Sequence, residues 1–221
     1  MSNPEVELRA AWHRSFGPTH PDLLDSLLAR LREPHRRYHT AVHVVWVLRH
    51  LHHLVEAGAR LADRGHVTEP VVVDLDAVHL AALYHDAVYD PLRADNEAVS
   101  ARLAVEAAEQ MGWPHERCHV VHQLVMATAG HVPADTAQAL LVDADLAILG
   151  AEPAQYTAYV NGVRAEYAHI DAQSWRTGRA AVLQRFLDVP AVYSTDIMRH
   201  EREARARANM AAELAALTLP A

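Results

Sequence analysis

No stretch of this 221-residue chain alternates apolar and polar residues for long enough to make a strand; apolar residues instead return at helical spacing between prolines and glycines. Pro21 opens a segment in which Leu23, Leu24, Leu27, Leu28 and Leu31 form one apolar stripe, and Pro34 stops it. A second helix is predicted from about Thr40 to Ala57, with Gly58 as its C-terminal stop. A polar turn over Arg60–Glu69 follows. Pro70 then opens VVVDLDAVHLAALYHDAVYD, apolar on nearly every side and so read as a buried central helix that Pro91 ends. The remaining punctuation predicts helices over Asp95–Gln110, from Pro114 to about Thr128, and over Thr136–Leu149, Pro153–His169, Gln173–Leu187 and Thr195–Leu217. The expectation is one all-α domain, residues 1–221, built of about eight to ten helices.

Charge narrows the class of partner. Asp and Glu number 28 against 20 Lys and Arg, a net charge of −8, which is the wrong sign for a protein that tracks a nucleic-acid duplex. No apolar run approaches the roughly 20 residues a membrane span requires, and the opening MSNPEVELRA has no apolar signal-peptide core. The single cysteine, Cys118, precludes an internal disulfide and suits a reducing cytoplasm. The unusual quantity is 17 histidines, spread along the chain with several inside apolar runs. Histidine is the commonest metal ligand and the usual acid–base group near neutral pH.

Three apolar segments carry groups that make poor core. In RRYHTAVHVV, His39 and His43 are four apart and are predicted to share a helix face. That spacing alone favours plainer readings, a hydrogen-bonded core histidine or a half-exposed pair. His85 and Asp86 end the most hydrophobic segment, where a buried carboxylate costs several kcal/mol unless a cation or good donors compensate it. Asp143 and Asp145 lie in LLVDADLAILG, apolar again. One metal shared by all three segments accounts for them with a single assumption.

The ordered set resembles the HD superfamily of metal-dependent phosphohydrolases, from Tyr38 to Asp145 and more weakly beyond. YHTAVHVVWV is similar to the YHNxxHxxxV motif of cyclic-nucleotide phosphodiesterases, distant relatives of that fold, and VMATAGH and DADLAIL resemble two later stretches of theirs. YHDAVYDP, DNEAVSA and LDVPAVY resemble the bacterial group of predicted HD phosphohydrolases. The resemblance implies a helical HD domain and the metal ligands His43, His85, Asp86 and Asp145. His39 takes the place of a general acid, or exchanges roles with His43; Asp143 is the alternative to Asp145, otherwise an outer group or a helix-surface acid. Glu97 is the candidate to orient the attacking water. His122 and His131 are candidates for a second metal.

Two histidines with two carboxylates suit one divalent transition metal, Mn²⁺, Fe²⁺, Co²⁺, Ni²⁺ or Zn²⁺, better than Mg²⁺. The expected reaction is hydrolysis of a phosphoester or phosphoanhydride in a nucleotide or similar small phosphorylated metabolite. Arg164 and Tyr167, three apart, are candidates to hold the substrate phosphate, against the plainer reading of a surface arginine and a core tyrosine. Rival readings are a di-iron oxygenase on the same fold and a non-catalytic nucleotide-binding domain. His115-Glu116-Arg117-Cys118-His119 fits the zinc-protease HExxH pattern, but Pro114 places it in a first helical turn, where it reads as a polar helix start. Arg36-Arg37 and Arg199–Arg207 read as solvated helix faces.

Overall fold

The structure, a computed structural model, describes residues 3–63 and 73–218, and among these every regular element is helical. The all-α expectation is met, with ten α-helices among the described residues. The chain divides into two compact units, Met1–Asp145 and Leu146–Ala221.

The first unit contains α1 (Pro4–Phe16), α2 (Pro21–Leu31), α3 (Ala41–Asp63), α4 (Leu75–Tyr84), α5 (Asn96–Gln110), α6 (His115–Gly130) and α7 (Thr136–Asp145). Helix α4 is its centre. Asp74 caps it by accepting from the Ala77 amide, and Ala77, Val78, Leu80, Ala81, Ala82, Leu83 and Tyr84 are all buried. A helix apolar all round has to be covered on every side, and α1, α3, α5, α6 and α7 all pack against it. Helices α5 and α6 form the most extensive pair, with Ala101, Ala104, Ala107 and Ala108 of α5 fully buried. Small side chains there let helix axes come close.

Several boundaries differ from those predicted. Helix α1 was not foreseen; Asn3 caps it through the Glu5 amide, and Leu8 and Trp12, one turn apart, are its buried stripe. Gly58 does not stop α3, which continues to Asp63; a glycine terminates a helix by taking a left-handed backbone, and only Gly17 and Gly112 have positive φ among the described glycines. Residues 64–72, with most of the expected polar turn and the Pro70 start, lie outside the described residues. The central helix ends at Tyr84 instead of running to Pro91, because the chain turns there with Ala87 N–H donating to the Tyr84 carbonyl at 2.8 Å. No helix among the described residues is long and apolar enough to cross a membrane.

In the second unit, a 3-10 turn (Leu146–Gly150) leads into α8 (Pro153–Glu166), α9 (Ala172–Asp188) and α10 (Asp196–Thr218). Side chains of α10 satisfy the turn's carbonyls: Arg202 donates to Gly150 O at 3.1 Å, and Asn209 donates to Leu149 O and Ala151 O at 2.8 and 2.9 Å. Tyr193, just before α10, adds a bond to Leu146 O at 3.1 Å. Beneath α9 and α10, buried Arg179 pairs with Glu213 at 2.7 Å, and Tyr156 donates to the same carboxylate.

Candidate metal centre

The four residues expected to hold a metal come together, each from the end of a helix. His43 is in the first turn of α3, His85 is the C-cap of α4 with Asp86 following in the turn, and Asp145 is the last residue of α7. His43 Nε2 lies 3.1 Å from His85 Nε2, 3.3 Å from Asp86 Oδ2 and 3.2 Å from Asp145 Oδ1. His85 Nε2 lies 3.2 Å from Asp86 Oδ2 and 3.6 Å from Asp145 Oδ1. Both imidazoles are buried, while the carboxylates keep 17% and 14% exposure, so one side of the cluster meets solvent.

These separations test the fit to a metal. Ligands bonded at about 2.1 Å stand about 3.0 Å apart at a right angle and about 3.4 Å apart at the tetrahedral angle. Four of the five observed donor–donor distances fall in that range, and the fifth, His85 Nε2 to Asp145 Oδ1 at 3.6 Å, lies just beyond it. His85 Nδ1–H donates to the Ala82 carbonyl at 2.9 Å, leaving Nε2 as the ligand atom, and His43 Nδ1 is 3.1 Å from the Tyr38 hydroxyl. Such outer hydrogen bonds fix tautomer and ring orientation in metal sites. The C-terminal end of α4 adds negative partial charge. His43, His85 and Asp86 in particular present ligand atoms within 4.8 Å of one another. The donor set fits a divalent transition ion.

Electrostatics agree. Burial alone would push both histidines down, but hydrogen bonds and charge from Asp145 and Asp86 outweigh it and hold His43 above, and His85 well above, the ordinary imidazole value. Burial would raise the two carboxylates, but the histidines beside them keep both well below the usual range.

His39 sits beside the centre in a different way from that predicted. It lies in the turn before α3, not on the helix, and its ring is stacked on Tyr89 at 3.8 Å and is 5.5 Å from the His43 ring. Asp143 is fully buried, which removes the helix-surface reading. Glu97, in the first turn of α5, makes no hydrogen bond or ion pair with the cluster among the described residues. The Asn96 side chain holds the Asp90 backbone, accepting from Asp90 N–H at 3.0 Å and donating to Asp90 O at 2.9 Å. His122 has its ring against His119, whereas His131 Nε2 is 3.3 Å from Asp145 Oδ2. In the second unit, Arg164 donates to the carbonyls of Tyr167 and Ile170 at 2.6 and 3.1 Å and faces the Trp175 ring, which commits it to closing α8. His115 and His119 are exposed, as the polar helix-start reading expects, and Arg117 between them pairs with Asp74.

One contributor escaped the sequence. Arg36 is buried, not solvated: its guanidinium donates to Asp86 O at 2.7 Å, Ala87 O at 3.0 Å and His39 O at 3.0 Å, and pairs with Glu33 at 3.1 Å. It ties the turn before α3 to the turn after α4, the two segments that carry His39 and Asp86. No family model, curated protein or solved structure matches this chain.

Proposed function

We propose that this chain is a metal-dependent phosphohydrolase of the HD type, acting on a small phosphorylated substrate such as a nucleotide. The observation that carries the reading is the convergence of His43, His85, Asp86 and Asp145 at donor–donor distances of 3.1 to 3.6 Å, in the order in which the HD resemblance lists its ligands. When bound, a divalent transition metal would bring the pKa of a coordinated water toward neutrality and polarise a phosphoryl oxygen. Asp86 and Asp145 supply the negative charge that balances it, and the His85–Ala82 bond keeps His85 Nε2 free to ligate. His39, oriented by its stack on Tyr89, is the group to give a proton to the leaving oxygen. Glu97, Arg164 and Tyr167 carry no part of it.

A dinuclear oxygenase would need further ligands, and His122 makes no contact with the cluster among the described residues. The mononuclear hydrolase is therefore preferred. The test is metal content of the purified protein beside its His85→Ala and Asp145→Ala variants, followed by a phosphate-release screen over nucleotides and simple phosphoesters. About one metal per chain, lost in both variants, with turnover in the wild type, is expected. His39→Ala should keep its metal and lose turnover by roughly 10²–10⁴-fold. Absence of metal after reconstitution with Mn²⁺, Co²⁺, Ni²⁺ and Zn²⁺ overturns the reading.

A further inference from the structure

We propose that His131 is a positioning residue that locks the Asp145 carboxylate, so that one oxygen faces the cluster and the other is held from behind. The inference rests on the reading of that cluster as a metal centre. Two independent observations carry it.

The first is local. Helix α6 ends with His131 in the left-handed region, φ 53° and ψ 36°. Only His20 shares a positive φ among the described non-glycine residues. This conformation crowds the Cβ of an L residue and is the usual place for glycine. A glycine stands one position earlier, yet Gly130 is helical, and a Cβ there would meet nothing within 4 Å. The chain thus puts glycine where it lowers helix propensity without need and a histidine at the left-handed position. Local strain of this kind persists where the side chain has work elsewhere.

The second is what that side chain reaches. His131 is about three-quarters buried, and its Nε2 lies 3.3 Å from Asp145 Oδ2. The other oxygen of the same carboxylate, Oδ1, lies 3.2 Å from His43 Nε2 and 3.6 Å from His85 Nε2. The carboxylate is held at both ends. A ligand carboxylate with a hydrogen bond to its outer oxygen keeps one rotamer, and loss of such an outer partner weakens metal binding by about 10–100-fold. Helices α6 and α7 pack together, so the strained turn between them is what brings the two side chains into reach.

The experiment compares the full-length wild type with His131→Gly and His131→Asn by Co²⁺ titration, read from visible absorption, together with metal-free thermal melting. Glycine removes both strain and side chain; asparagine tolerates the left-handed backbone and retains an N–H donor. His131→Gly is expected to melt higher than the wild type and to bind Co²⁺ about 10–100-fold more weakly, with a changed absorption band. His131→Asn should recover part of the affinity. That combination cannot arise from misfolding. Wild-type affinity and spectrum in His131→Gly would overturn the inference, reducing His131 to a helix terminator. Two Co²⁺ per wild-type chain falling to one in the glycine variant would overturn it in favour of a second metal ligand. A wild type that takes up no Co²⁺ would remove the metal reading, and this inference with it.

Discussion

His43 and His85 face each other through their Nε2 atoms at 3.1 Å, with His85 Nδ1 donating to the Ala82 carbonyl and His43 Nδ1 beside the Tyr38 hydroxyl. Two imidazole lone pairs at that distance repel unless a hydrogen or a metal ion lies between them. Burial opposes the proton, but Asp86 and Asp145 outweigh it and raise both histidines above their ordinary value. The metal-free cluster therefore holds its proton more firmly than an ordinary imidazole, and a metal taken up there would have to displace it. Calorimetric titration with Zn²⁺ at pH 7 in buffers of different ionisation enthalpy should report about one proton released per metal. Affinity should rise with pH through neutrality. Uptake without proton release would place the metal elsewhere.

Gly150 gives a prediction in the second unit. A Cβ at this position would lie 2.7 Å from Arg202 Cβ, 2.9 Å from Arg202 O and 2.9 Å from the Tyr193 hydroxyl. Backbone and a buried tyrosine cannot yield cheaply, so the 3-10 turn sits against α10 only because residue 150 has no side chain. Gly150→Ala should destabilise by about 1–3 kcal/mol in urea unfolding, as overpacking does. A change under a few tenths of a kcal/mol would show that the turn and α10 shift apart without loss.

What could be read from residues alone depended on whether the cause was local. His85, Asp86 and Asp145 stood out because charge inside an apolar helix is costly wherever the helix ends up, and the resemblance ordered them with His43. Arg36 could not be seen: beside Arg37 it looks solvated, and its partners Asp86 and Ala87 are 50 and 51 positions away. His131 reads in sequence only as a second-metal candidate beside His122, because the left-handed backbone that sets where its side chain points is not visible in residues alone. Helix α1 was within reach, since Asn3-Pro4 with Glu5 and Glu7 in the first turn is a helix-start pattern. Gly58 misled because a glycine stops a helix only through φ, which sequence does not show.

Asp74 links the central helix to α6. It caps α4 and receives two bonds from Arg117, at 2.6 and 2.7 Å, with Arg117 also lying over the Trp113 ring. The bonds from Arg117 outweigh burial and hold the Asp74 carboxyl below its ordinary value. A depressed carboxylate contributes stability that is complete above the unfolded value, about pH 4, and is lost as pH falls through the lower folded value. Melting of the chelated protein between about pH 2 and pH 7 should therefore show Arg117→Met less stable than the wild type at the neutral end. The gap should narrow as the pH falls below about 4. A constant gap would mean that Arg117 acts through its contact with Trp113 alone.

Arg36 is the strongest case for a residue remote from the ligand list that sets the centre's geometry. Its side chain is fully buried, and its charge is spent on three main-chain carbonyls, those of His39, Asp86 and Ala87, with Glu33 as the only acid. Hydrogen bonds from a charged donor contribute more than neutral ones, and carbonyls left buried without a donor are penalised. Arg36→Met should cost about 3 kcal/mol in chelator. Because the Asp86 carbonyl belongs to a proposed ligand, the same variant should also bind Co²⁺ about 10–100-fold more weakly under conditions where it is fully folded. Arg36→Lys, a single point of charge in place of a planar fork, should recover only part of either quantity. A folded Arg36→Met with wild-type Co²⁺ affinity would show that the guanidinium joins the two turns without shaping the ligand set.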